Sequence, residues 1–327
     1  MSKHPRANPD FVGHAGAVSA LYHAASAGRL HHGWLITGQP GIGKATLAYR
    51  FARWLLAGAN TADLSLPSDD PVFRRVAAGT HPDFFTIERR VNSKTDRLQS
   101  EIVIDTVREA ISFMHHTPSE GGWRVVLIDG VEDMNPKAAN ALLKLLEEPP
   151  PRAVLLLVSG APGRLLPTIR SRCRALALSA LAEAEMATLL ARYAPELDDG
   201  QALRLATLAE GSIGVALTLA AEGGVALAGL VDEVLAGELS PPRAQAIADQ
   251  VARAVEGADK FEVFFTLLRA GLAARTRAQA RAGVDAAALS RDVSHWHALG
   301  ILGREVVGLN LDKRAAVVVA LSQLHRV

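Results

Sequence analysis

The chain of 327 residues carries 35 Lys+Arg against 34 Asp+Glu, a formal net charge of +1, with 49% hydrophobic and 21% charged residues. That balance suits globular domains and excludes both a disordered chain and a protein that coats nucleic acid by bulk electrostatics. A single cysteine, Cys173, excludes an internal disulfide framework and any cysteine-cluster zinc site.

The length accommodates two or three domains, each with its own core. Residues 1–11 are polar, with no signal-peptide core, and no apolar run approaches the ~20 residues that span a bilayer. A cytoplasmic location and no membrane partner are therefore expected. Residues 32–37 read as a buried strand, and Lys44–Leu56 as the helix that follows it. Residues 58–71 mix Gly, Asn, Ser, Asp and Pro and read as a loop. Phe84–Ile87 is a second strand, and residues 89–97 are a polar stretch expected as a solvated loop or hairpin. Asp105 is positioned to cap a helix carrying Val107, Ile111 and Met114 on one side. Residues 124–128 and 154–158 supply a third and a fourth strand, with a short fifth over 175–178. Continuous apolar strands separated by helices imply a parallel sheet covered on both faces.

After residue 180 strand signals vanish, and the chain becomes rich in Ala and Leu with helical periodicity. Breaks fall at Asp198-Asp199-Gly200 and Glu222-Gly223-Gly224, and Ser240-Pro241-Pro242 opens a further helix. The expected plan is an α/β nucleotide-binding-like domain over 1–179, a small helical domain over 180–222 and a larger all-α domain over 223–327. Internal repeats are absent from the sequence. Eleven histidines show no HxxxH or HExxH spacing, and the adjacent pairs His31-His32 and His115-His116 are expected to point to different sides of their elements. No metal site is assigned.

Gly38-Gln39-Pro40-Gly41-Ile42-Gly43-Lys44 follows a strand and opens a helix, the context of a phosphate-binding P-loop. Gly38, Gly41 and Gly43 let successive backbone N–H groups turn around phosphate oxygens, and the helix N-terminus adds partial positive charge. Lys44 reaches terminal phosphates as a point charge. A glycine-rich turn without function is the competing reading, and strand, spacing, Gly-Lys and helix together disfavour it. The next position normally holds a Ser or Thr whose hydroxyl ligates Mg²⁺, and here it is Ala45. Thr46 is rotated from that position by roughly 100° around the helix. Asp129 ends the third strand, where a carboxylate supports Mg²⁺ in P-loop proteins; a strand-terminal turn residue is the alternative.

Residues 135–150, NPKAANALLKLLEEPP, read as a capped amphipathic helix. Asn135 caps, Pro136 sits in the first turn, and Ala139, Leu142, Leu143 and Leu146 form an apolar stripe. Arg172, taken alone, is a surface arginine in a basic cluster with Arg170 and Arg174. Cys173 lacks a His partner in sequence and reads as a packed small hydrophobe.

The wording of these segments goes further than their periodicity. NALLK-LEEPP at residues 140–150, the Ser171-Arg172-Cys173 triplet, and Gly79-Thr80-His81-Pro82-Asp83 before the second strand closely resemble the clamp-loader branch of the AAA+ family. The resemblance spans residues 11 to 220. It implies an AAA+ P-loop domain with a parallel sheet, then a small helical lid and an all-α C-terminal collar that oligomerises.

By the same resemblance, Arg172 acts as an arginine finger on the ATP of a neighbouring motor subunit. An active member has glutamate after the strand-end aspartate and Gly-Ser-x-Arg in the lid. This chain has Gly130 and Gly211-Ser212-Ile213-Gly214. With Ala45, these departures imply a non-motor subunit of the bacterial DNA polymerase III loader, binding ATP or ADP without efficient hydrolysis. Its implied partners are the motor subunits and delta, with the sliding clamp and primed DNA met through the complex. Residues 57–78 lack the cysteines of the zinc module found in many members, so zinc is not expected. The residues alone leave open an autonomous AAA+ ATPase or motor-type loader subunit, a nucleotide-gated nucleic-acid scaffold and, less favoured, a P-loop kinase.

Overall fold

The strands with uninterrupted apolar runs occupy the middle of a sheet, as the run pattern requires. In a computed structural model describing residues 4–92, 97–120, 122–237, 239–253 and 260–325, the chain opens with α1 (Ala15–Ser26), β1 (Gly33–Thr37), α2 (Lys44–Leu56), α3 (Pro71–Ala78) and β2 (Phe84–Ile87). A two-stranded antiparallel pair, β3 (Val91–Asn92) and β4 (Arg97–Leu98), precedes α4 (Ile104–His115) and β5 (Arg124–Asp129). Then come α5 (Pro136–Glu147), β6 (Ala153–Ser159), α6 (Pro167–Ser171), β7 (Arg174–Ala177) and α7 (Glu183–Tyr193). The hairpin alternative for residues 89–97 is thus the one adopted, although residues 93–96 lie outside the described residues.

The five-stranded sheet is wholly parallel, in the order β2-β5-β6-β1-β7. Every residue of β6 is buried, whereas the edge strand β7 buries only Leu176. Side chains of the central strands feed two separate cores, one on each face. Trp34, Ile36, Phe51 and Leu127 meet on one face, and Leu35, Val126, Leu142 and Leu157 on the other. Because β6 stands between β1 and β5, the segment leaving β6 at Ser159-Gly160 emerges between the P-loop and Asp129. That places the candidate site at the C-terminal end of the sheet.

Several local expectations are corrected. Asp105 does not cap α4. It sits in the first turn, and the residue at the cap, Val103, makes no side-chain hydrogen bond. His31 and His32 do not diverge: their rings stack with centroids 4.3 Å apart. They precede β1 in a bend, where the alternation of strand side chains does not apply, and backbone carbonyls fix both rings. The buried stripe of α5 is broader than expected, adding Ala138 and Leu145, while Leu143 is only half-buried. In the polar loop before α3, Leu64 is fully buried at φ 58°. Burial of a leucine is worth ~1.5–3 kcal/mol, enough to offset the ~1–2 kcal/mol cost of left-handed backbone.

Two arginines of α2 bind the N-terminal segment. Arg53 donates to the carbonyls of Arg6 and Asn8, both at 2.8 Å, beneath the ring of Phe73. Burial pushes its pKa down to about 10, so it stays charged at neutral pH. Arg50 donates to the carbonyls of Pro9 and Asp63. Neither role was legible, because an arginine spaced along an apolar helix reads as its solvent face.

The chain divides into two compact units, Met1–Leu189 with Gly211–Gly214, and Leu190–Glu210 with Val215–Val327. The second is all helical: the end of α7, α8 (Asp199–Leu208), α9 (Ile213–Ala221) from Val215 onward, α10 (Gly224–Ala236), α11 (Pro241–Ala252), α12 (Lys260–Arg281), α13 (Ala286–Leu309) and α14 (Lys313–His325). Asp198 closes a capping box with Gln201 at the start of α8. Leu227, Ile247, Phe264, Leu268, Leu299 and Val317 lie in one core. Asp292 of α13, itself buried, accepts both arms of Arg275 of α12 at 3.0 and 2.8 Å. Among the described residues no single helix is long and apolar enough to cross a membrane.

Candidate functional site

The P-loop has the backbone its glycines permit. Gly38, Gly41 and Gly43 all adopt positive φ, at 146°, 77° and 102°. A Cβ at Gly38 would lie 2.7 Å from the Leu178 carbonyl oxygen, so glycine is required there. Gly43 caps α2 without a side-chain hydrogen bond, leaving the helix start with the partial charge that suits an anion.

The loop's carbonyls, however, are occupied by groups of this chain. Lys44 Nζ donates to the Gln39 carbonyl at 2.8 Å, and Ser212 Oγ to that of Pro40 at 2.8 Å. Gly214 N–H donates to Gly41 at 2.9 Å, and His14 Nε2 lies 2.9 Å from the Ile42 oxygen. Lys44 is buried, and that burial lowers its pKa; the carboxylates of Glu132 and then Asp129 oppose the shift. Gly214 occupies the position where the resemblance calls for arginine. A Cβ there would lie 2.7 Å from Gly41 Cα, so the backbone of the 211–214 turn lies directly on the loop. Gly214→Ala is expected to destabilise the chain by roughly 1–3 kcal/mol, through overpacking against backbone that cannot rotate away. Urea unfolding measures this, and a change below about 0.5 kcal/mol would show that the turn yields freely.

Asp129 ends β5 with its pKa raised, chiefly by burial and next by Glu88; Lys44 opposes, and Glu132 and Asp133 add to the rise. The site is therefore acidic and partly desolvated, with one lysine to balance it. Glu132 is nearer to the chemistry than its sequence position suggests. Gly130 turns left-handed at φ 77°, ψ 52°, and residues 131–133 form a 3-10 turn. This path brings Glu132 Oε1 to the Gly160 N–H at 2.7 Å, and leaves the buried Oε2 with no hydrogen-bond partner among the described residues. The glycine at 130 gave the signal, since it is the residue that permits such a turn.

These residues fit a phosphate group better than a metal–nucleotide complex. The glycine backbone, helix start and Lys44 suit an anion. The metal shell lacks the hydroxyl that Ala45 replaces, and among the described residues no cluster of three metal-ligating side chains occurs.

Arg172 lies apart from this loop, at the C-terminal end of α6. Its guanidinium reaches Glu147 Oε1 at 2.8 Å and the Thr168 carbonyl at 3.1 Å, with a third of the side chain exposed. Arg174 does not join it, because its guanidinium stacks on Trp34 at 5.1 Å. Cys173 is half-buried against the α5 face of the sheet, and burial pushes its thiol up to about 12, which suits packing and not nucleophilic chemistry.

A model of the family described as DNA polymerase III, delta subunit, matches residues 13–182, which hold the P-loop, Asp129 and Arg172. The chain belongs to the DNA polymerase III delta-subunit family. Among its relatives it is 44% identical over 142 residues to DNA polymerase III subunit delta′ of Pseudomonas aeruginosa, covering 43% of this chain and 41% of the relative. It is 35% identical over 221 residues to subunit delta′ of Escherichia coli, covering 67% and 61%. Similarity to subunit tau of Escherichia coli is 31% over 219 residues, 66% of this chain and 32% of the relative. The matches to the two delta′ proteins thus span less than two thirds of those relatives' length.

One phrase of this delta-family chain has a structural explanation. In Gly79-Thr80-His81-Pro82-Asp83, Gly79 ends α3 in left-handed backbone. Asp83 is buried and accepts the N–H groups of Ser119 and Glu120 at 2.8 and 3.1 Å, facing the buried Arg124 guanidinium at 3.5 Å. The phrase is a clasp between the edge of the sheet and the loop after α4.

Proposed function

We propose that this chain is a non-motor subunit of the bacterial DNA polymerase III clamp loader, which assists ATP-driven loading of the sliding clamp onto primed DNA. In this role it lends Arg172 to the ATP site of a neighbouring motor subunit, while its own P-loop holds ATP or ADP without efficient hydrolysis. Its partners are the motor subunits and delta, with clamp and DNA engaged through the complex in the cytoplasm. The three-part plan, 1–179, lid 180–222 and collar 223–327, goes with this reading.

One contrast carries the proposal. Lys44 Nζ, the cation a phosphate would need, is engaged by the Gln39 carbonyl, and the 211–214 turn lies directly on the loop through Ser212 and Gly214. The Arg172 guanidinium, by contrast, stands partly exposed on one exchangeable carboxylate. A permanently charged, planar guanidinium at a surface can stabilise charge on a phosphoryl group supplied from outside. Membership of the delta family and likeness to delta′ relatives support the same assignment.

The test is reconstitution. Purified chain mixed with the organism's other loader subunits is expected to elute as one complex, with ATPase stimulated by clamp and primed DNA. The chain alone is expected to show no magnesium-dependent turnover above background. Failure to enter the complex, or brisk turnover by the lone chain, would refute the reading.

A further inference from the structure

Five arginines of the helical unit pair with carboxylates of the same unit. Arg204 pairs with Asp232, Arg243 with Glu233, Arg275 with Asp292, Arg277 with Glu210 and Arg314 with Asp249. Two others, Arg269 of α12 and Arg304 of α13, face a common groove of about 370 Å³ and pair with no carboxylate among the described residues.

The groove is built by small residues. Gly300 lets the Arg269 guanidinium cross α13 flat, since a Cβ there would stand 3.1 Å from its Cζ. A Cβ at Gly303 would stand 3.4 Å from the Phe265 ring, an ordinary contact, so the glycine leaves that ring open to the groove. Arg269 lies over the Trp296 ring at 4.2 Å, which holds the guanidinium face and directs its edge elsewhere. Its Nε is buried without a hydrogen-bond partner. Burial, and then the like charge of Arg304, lower its pKa. An unsatisfied buried N–H costs about 1–3 kcal/mol, and two like charges in one groove add to that, so an anion placed between the two guanidinium groups would be stabilised. Glu262 also lines the groove, so its two arginines outnumber its one carboxylate. Apart from Thr266 the remaining lining is apolar, with Val307 48% exposed, and Trp296 beneath Arg269 is 38% exposed.

We propose that this groove binds an apolar segment of a partner protein that carries a carboxylate, the carboxylate meeting Arg269 and Arg304 and an aliphatic or aromatic side chain lying over Gly303 on Phe265. Charge complementarity fixes the anion. The apolar floor favours a peptide over an extended polyanion, which needs a broad basic face. The site stands independently of the clamp-loader reading.

The experiment titrates the full chain with the peptide acetyl-Leu-Phe-Asp-amide, its Asn counterpart and inorganic phosphate. Binding is read by calorimetry and by the fluorescence of Trp296, with Trp296→Phe as the blank. The Asp peptide is expected to bind at least tenfold more tightly than the Asn peptide. Arg269→Gln and Arg304→Gln should each weaken it about tenfold. Gly303→Leu, which keeps both arginines and favours the helix, should abolish it with the unfolding midpoint maintained. Absence of peptide binding, equal affinity for the two peptides, or displacement by phosphate alone at comparable concentration would each overturn the proposal. So would self-association of the chain lost in the same variants without peptide binding.

Discussion

On the proposed finger role, replacing Arg172 with alanine is expected to slow ATP hydrolysis at one neighbouring motor site by about 10³-fold, the lower range for a finger supplied in trans. Assembly of the loader should be unaffected. The reason is the small cost of releasing the side chain. Its pair with Glu147 spans 2.8 Å but is roughly one-third to one-half exposed, and such pairs contribute only ~0–1 kcal/mol. A triphosphate in a neighbour's cleft outbids that easily, because charge developing in a dry site is stabilised far more strongly than charge in water. The steady-state rate of the whole loader falls only as far as this site limits the cycle, so single-turnover hydrolysis is the informative measurement. Arg172→Lys keeps the charge but not the planar fork, and should recover little. Glu147→Gln, which frees the guanidinium without removing it, should preserve turnover. If single-turnover rates in the Arg172→Ala loader match those of the unaltered one, the finger assignment is lost.

Asp83→Ala is expected to destabilise the first unit by about 3–5 kcal/mol, the scale for breaking a buried pair from one side. Asp83 is 1% exposed and Arg124 5% exposed. Removing the carboxylate strands the guanidinium, and it also strips two backbone N–H groups of Ser119 and Glu120 of their acceptor. Arg124 retains the carbonyls of Phe113 and Thr117, so the unit is expected to fold with a lowered midpoint and not to collapse outright. Equilibrium denaturation gives the figure. A loss under 1 kcal/mol would mean that water reaches Arg124 without disturbing the sheet. The double variant Asp83→Ala with Arg124→Met should recover part of the loss, because no charge is then left buried.

Much of the first unit was legible because its signals are local. α2 and β2 start and stop where the pattern placed them, and the other strands differ from their expected ends by at most one residue, since a central parallel strand must be apolar on both faces. The hairpin of β3 and β4 was one of two readings of a polar stretch. The P-loop was readable for a similar reason: glycine spacing encodes a backbone path. What failed were inferences that assumed a regular element where the chain bends, as with His31 and His32, or a cap where a side chain faces outward, as with Asp105.

Glu132 is the more instructive case. Its spacing from Asp129 means that a place in the site needs an unusual backbone path. A left-handed glycine and a 3-10 turn bring it to Gly160, at the end of a strand that lies between the two motif-bearing strands. The same holds for Gly214, Ser212 and His14, whose donors close on the P-loop from residues remote in the chain. Arg269 and Arg304 are separated by 35 positions on two amphipathic helices, and nothing in either helix marks them as neighbours.

By itself the sequence determined the parallel sheet, the backbone path of the glycine loop, the missing hydroxyl at Ala45 and the phrases that carry the family. All of these depend on residues close together in the chain. Only the tertiary structure decided that the loop's carbonyls are already engaged, that Arg172 rests on Glu147 and that two arginines share a groove. Each of those is an encounter between distant segments. Its existence depends on distances of about 3 Å that packing sets and no local pattern records.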